Sequence, residues 1–144
     1  MTRFLIQVAL LLTITACAWR WGGKAEKHVA AIYLAMLVLA TGIALINGEW
    51  AGYVVVPYYR AAIDLAALMA VVHVALHANC WWVIWVGSAQ LLAVSAHLLR
   101  MSGVPLPPIA YAVMERWPVW LAIVLVGVGT LQHALNRKDQ DETF

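Results

Sequence analysis

The stretch RAAIDLAALMAVVHVALHANCWWVIWVGSAQLLAVSAHLLR, Arg60 to Arg100, carries one formal charge between its terminal arginines, Asp64. A bilayer core roughly 30 Å thick takes about 20 apolar residues per helix. The stretch is too long for one crossing and suits two, joined by a tight turn. Ala78-Asn79-Cys80 supplies that turn, since Asn tolerates left-handed backbone and Trp81, Trp82 and Trp85 read as an interfacial aromatic belt. The expected hairpin is therefore Ala61 to His77 and Trp82 to Leu99.

The same rule, applied outward, places three more crossings. Phe4 to Trp19 lies between Arg3 and Arg20, and Val29 to Asn47 lies between His28 and Glu49. The connection Trp21-Gly22-Gly23-Lys24-Ala25-Glu26-Lys27 reads as a polar loop. Pro105-Leu106-Pro107-Pro108 is a rigid connector that cannot be helix interior. After it, Ile109 to Arg116 is expected as a short interfacial helix, with Pro118 in the first turn of the last crossing and Trp117 anchoring the boundary. The link Gly48 to Tyr59, with Trp50, Tyr53, Tyr58 and Tyr59 around Pro57, is aromatic enough for the headgroup region. Residues 137–144 form a charged, solvated tail.

Composition agrees. The hydrophobic set makes up 65% of the 144 residues and charged residues 11%, against roughly 45–50% and about 25% in soluble domains. Mean hydropathy is +0.83. The expectation is one all-α, polytopic membrane bundle of five helices. Ile14-Thr15-Ala16-Cys17 resembles a lipoprotein processing box, and cleavage there would leave four; a run long enough to span is read as retained. Arg20, Lys24, Lys27, Arg137 and Lys138 on one side, against Arg3, Arg60, Arg100 and Arg116 on the other, favour a cytoplasmic tail. A net charge of +2 does not suggest nucleic acid as a partner. The two cysteines, Cys17 and Cys80, are too few for a disulfide framework or a four-cysteine zinc site.

Ionisable residues within such helices are costly and are the first candidates for function. Counting equal distances from the turn puts Asp64 level with His97. Gln90 shares the His97 stripe, with Ser88, Leu92 and Ser95 opposite. Arg60, one turn before Asp64, offers a local cation. These four residues read either as an ion pair that sets the depth of the hairpin or as a proton or cation site.

His73 and His77, also one turn apart, share a face with Ala62, Ala66 and Ala70, where another helix could approach. His133 follows Ala122, Gly129 and Thr130 on another small-residue face, and His28 lies at the same end. Together these histidines could ligate haem, a metal ion or a pigment, because neutral imidazole is a common ligand; interhelical hydrogen bonding is the plainer reading. His73-x-x-x-His77 lacks the glutamate of a metalloprotease. The serines lack a glycine elbow.

Arg20-Trp21-Gly22-Gly23-x-x-Glu26, Trp82-Val83-Ile84-Trp85 followed by Gln90 and His97, and Ala110-Tyr111-Ala112 resemble small multi-span proteins of alphaproteobacteria, with Ala25 where proline is usual. The resemblance implies a bacterial inner membrane and carries no catalytic role. The leading expectation is a non-enzymatic accessory subunit that packs against lipid and against other membrane subunits or its own copies. A His-ligated cofactor protein and a small proton-coupled transporter are the alternatives.

Overall fold

The structure, a computed structural model, describes residues 2–47, 58–103 and 107–141. It is all-helical there, with α1 (Thr2–Trp21), α2 (Lys24–Asn47), α3 (Tyr58–His77), α4 (Trp81–Met101) and α5 (Pro108–Asp141). Each contains a stretch long and apolar enough to cross a membrane. Sequence neighbours pack on one another, α5 returns to α1, and α2 also touches α5, so the helices close into a ring. The core runs along its inside through Val29, Val71, Val83 and Val86, all fully buried.

The turn falls where the sequence places it. Helix α3 ends at His77 and α4 begins at Trp81, with Asn79 at φ 24°. That positive φ is a conformation Asn accepts more readily than most residues.

Three expectations need correction. Lys24-Ala25-Glu26-Lys27 is the first turn of α2, and the α1–α2 connection shrinks to Gly22-Gly23. Charges read as loop are at home in a first helical turn, where a carboxylate also complements the helix dipole. The link needs glycine, because a Cβ on Gly22 would lie 2.6 Å from the Ala18 carbonyl oxygen.

The second correction concerns α5, which is one helix of 34 residues with Pro118 inside it. Pro108, at its first position, lacks only an N–H that would be unpaired there anyway. Pro118 forfeits one internal bond, a cost of about 3 kcal/mol, and helix-forming residues on both sides carry the helix through. Its ring is fully buried. The helix also continues through 137–141, into the stretch read as tail.

The third concerns Trp82, which is 2% exposed and belongs to the core rather than to a boundary belt. A Cβ on Gly129 would meet its indole at 2.8 Å, so glycine on α5 makes room for the ring. Trp19, Trp21, Trp81, Trp85 and Trp117 are exposed, as anchoring residues would be. The expected headgroup link with Trp50, Tyr53 and Pro57, and Pro105-Leu106 of the connector, lie outside the described residues.

Candidate functional site

Asp64 and His97 meet across the α3–α4 hairpin. The His97 Nε2 lies 2.8 Å from Asp64 Oδ2, with the two side chains 1% and 15% exposed. The two atoms share one hydrogen bond, in which an ionised carboxylate is the acceptor. Gln90 completes the carboxylate's coordination: its Nε2 donates to Asp64 Oδ1 and to the Asp64 carbonyl oxygen, both at 3.2 Å. Its own Oε1 accepts from the Tyr33 hydroxyl at 3.0 Å. Gln90 and Tyr33 are 1% and 2% exposed.

A hydrogen-bonded chain Tyr33–Gln90–Asp64–His97 thus ties three helices together inside an apolar bundle. Each helix contributes by register. On α4, Gln90 and His97 are two turns apart and share the buried stripe, while Ser88 and Leu92 on the other side are exposed. On α2, Tyr33 lies on the face that buries Val29 and Ala30. Tyr33 also borders a small apolar void of about 10 Å³ lined in part by Thr15, Ala30, Ala122 and Val126.

Sequence reasoning found Asp64, Gln90 and His97 and missed Tyr33. A lone phenol in an apolar run is a signal, because a buried tyrosine hydroxyl usually finds a partner.

Arg60, one turn before Asp64, is engaged with its neighbour Tyr59. Its Nε donates to the Tyr59 hydroxyl at 3.4 Å, and its guanidinium carbon lies 6.0 Å from that ring's centroid. The ion pair described for Asp64 is with His97.

The other histidines are placed differently. His73 and His77 are exposed, their ring centroids 4.3 Å apart, and His77 Nδ1 donates to the His73 carbonyl oxygen at 2.8 Å. Of their companions, Ala62 and Ala66 are exposed and Ala70 is half-buried, and the buried residues of α3 are Ala67 and Val71. The small-residue stripe on α3 therefore faces outward rather than onto a neighbouring helix of this chain. His28 is exposed and donates to the Lys24 carbonyl oxygen at 2.6 Å. His133 lies against Gly23, beside Glu26. Among the described residues, no group of three or more His, Cys, Asp or Glu is arranged to hold a metal ion.

Ser88, Ser95 and Ser102 each donate to the carbonyl oxygen one turn back, as hydroxyls in helices commonly do. Cys80, in the α3–α4 turn, has its thiol pushed above the ordinary range, by burial first and by the negative charge of Glu26 second.

The class these observations define is an all-α bundle of five helices apolar enough to cross a membrane, with one interhelical acid–imidazole–amide–phenol chain inside it. No protein-family profile, curated protein or solved structure matches the chain.

Proposed function

We propose that the chain is a multi-pass membrane protein whose working centre is the Asp64–His97 pair, positioned by Gln90 and Tyr33, and that it binds and passes protons. The observation that carries this reading is the 2.8 Å contact between a buried imidazole and a carboxylate that is itself largely withdrawn from solvent, 1% and 15% exposed. Both groups change charge on gaining one proton. Ionisable groups within a membrane-spanning helix are functional-site candidates by default, ion and proton pathways among them. A clamp between helices could be built from amides and hydroxyls alone, without the desolvation that two ionisable groups incur. Gln90 bonds to Oδ1 while His97 bonds to Oδ2, so both carboxylate oxygens are held in place. Tyr33 in turn fixes the amide's orientation.

Purified protein in proteoliposomes, given a pH gradient, tests this. The parent chain should dissipate the gradient and Asp64→Asn should not, with helical content unchanged. Equal rates from the two proteins would remove the reading.

The setting we infer is a bacterial inner membrane, with the C-terminal end of α5 on the cytoplasmic side. The arginine and lysine distribution supports that orientation.

A second reading is favoured by the outward face of α3, where His73 and His77 are exposed alongside Met69 and Leu76. Polar rings on an apolar outer surface suit contact with another membrane subunit, which is the role of an accessory protein. The same pair is where a metal ion, haem or pigment shared with such a partner would be held. An absorption spectrum and metal analysis of the purified protein test that version, and a colourless, metal-free sample removes it.

A further inference from the structure

At the end of the bundle where α1 turns into α2, Glu26 is 5% exposed although it stands only in the first turn of its helix. Among the described residues no hydrogen bond or ion pair to its carboxylate is present. A glutamate at this position commonly folds back onto the backbone N–H before the helix, but here it points into a notch that Gly23 leaves open. A Cβ on Gly23 would lie 3.1 Å from Glu26 Oε2, 3.0 Å from His133 Cε1 and 3.2 Å from His133 Nδ1. The carboxylate of α2 and the imidazole of α5 therefore face the same methyl-sized space. The histidine ring is exposed and gives that space a way out.

The other charged and titratable groups near Glu26 do not fill its place. Lys24, Lys27 and His28 on α2, and Arg20 on α1, are exposed. Cys80 is close enough to feel the carboxylate's charge.

We propose that Glu26 and His133, separated by the Gly23 notch, form a second proton-binding pair at the opposite end of the bundle from Asp64–His97. The inference rests on the proton-handling reading of Asp64 and extends it to a second station. A buried carboxylate needs a compensating positive charge or a proton, and an imidazole across a gap of this size supplies either. Helix α2 connects the two stations: Glu26 and Tyr33 are both buried and two turns apart, a rise of about 10.5 Å. Ala30, between them, borders the void that Tyr33 also lines.

Cys80 provides a reporter that does not depend on transport. In the full-length chain with Cys17→Ser, Cys80 is the sole thiol, and its alkylation rate by a small maleimide follows its thiolate fraction. Glu26→Gln removes a charge that holds the thiol protonated, so alkylation should accelerate and its rise with pH should begin at lower pH. His133→Gln should change the rate when Glu26 is present and leave it unchanged when Glu26 is already Gln, because the histidine acts on Cys80 through the carboxylate. Additive effects of the two substitutions would overturn the pairing.

Gly23→Ala, which places a methyl in the notch within 3.2 Å of both groups and leaves their chemistry intact, should alter the rate as His133→Gln does; no change would also count against the pair. In proteoliposomes Glu26→Gln should slow proton movement on the order of tenfold or more. Flux lost in Asp64→Asn but untouched in Glu26→Gln would overturn the second station and leave the first. Flux unaffected by Asp64→Asn, with Glu26 and His133 still coupled at Cys80, would leave the pair and remove its part in transport.

Discussion

Helix α3 carries two sets of polar residues that the sequence marks equally, and the fold treats them in opposite ways. Near its start Asp64 turns inward, meets His97 and Gln90 on α4, and loses nearly all contact with solvent. Near its end His73 and His77 turn outward, and the second ring donates to the first residue's carbonyl within the same helix. The lesson is about the kind of spacing. A separation of one turn guarantees only that two residues share a face of their own helix, and either face can be buried. Equal distance from a turn, as for Asp64 and His97, is a statement about two helices. It is therefore the stronger guide to a site.

The sharpest way to break that contrast is Asp64→Ala. It removes the carboxylate that bonds to His97 and Gln90, leaving Gln90 only the residue-64 carbonyl oxygen, and unfolding in detergent should show a loss of about 3 kcal/mol; a loss no larger than that of His77→Ala would erase the difference between the two regions. Gln90→Leu comes next, because it strands both the Tyr33 hydroxyl and Asp64 Oδ1. The same measurement should give a loss of roughly 2 kcal/mol, with the pH dependence of proton flux altered. Tyr33→Phe removes one bond at the end of the chain and should cost about 1 kcal/mol or less. A cost as large as that of Gln90→Leu would mean that Tyr33 does more than orient the amide. Smallest of all, His77→Ala should change stability by less than about 0.5 kcal/mol, since its ring is exposed and its only described hydrogen bond is local.

Much of this arrangement was legible. The run from Arg60 to Arg100 places a hairpin and its turn, because Asn79 is the residue there most tolerant of positive φ. Periodicity then sorts Gln90 and His97 from Ser88 and Leu92. What was misread has a common cause, which is that local preference was allowed to end elements that packing continues. Lys24, Glu26 and Lys27 look like a loop, yet a first turn accommodates them, and the buried carboxylate of Glu26 was lost with that reading. Pro118 looks like a start, yet one missing hydrogen bond does not break the 34-residue helix that runs through it.

Tyr33 and Trp82 were hidden for a different reason. In an apolar run an aromatic residue is compatible with lipid, boundary or core, and only its neighbours decide. For Trp82 the neighbour is Gly129, and for Tyr33 it is Gln90. Neither is near in sequence.

The central claim is that the buried carboxylate–imidazole pair exchanges protons. Infrared difference spectroscopy on the reconstituted protein after a pH jump observes those groups directly. The account predicts paired carboxyl and imidazole bands that belong to Asp64 and His97, missing from the Asp64→Asn spectrum while those of other groups remain, and with the Asp64 carboxyl band retained in His73→Ala. A difference spectrum that Asp64→Asn leaves unchanged would contradict it.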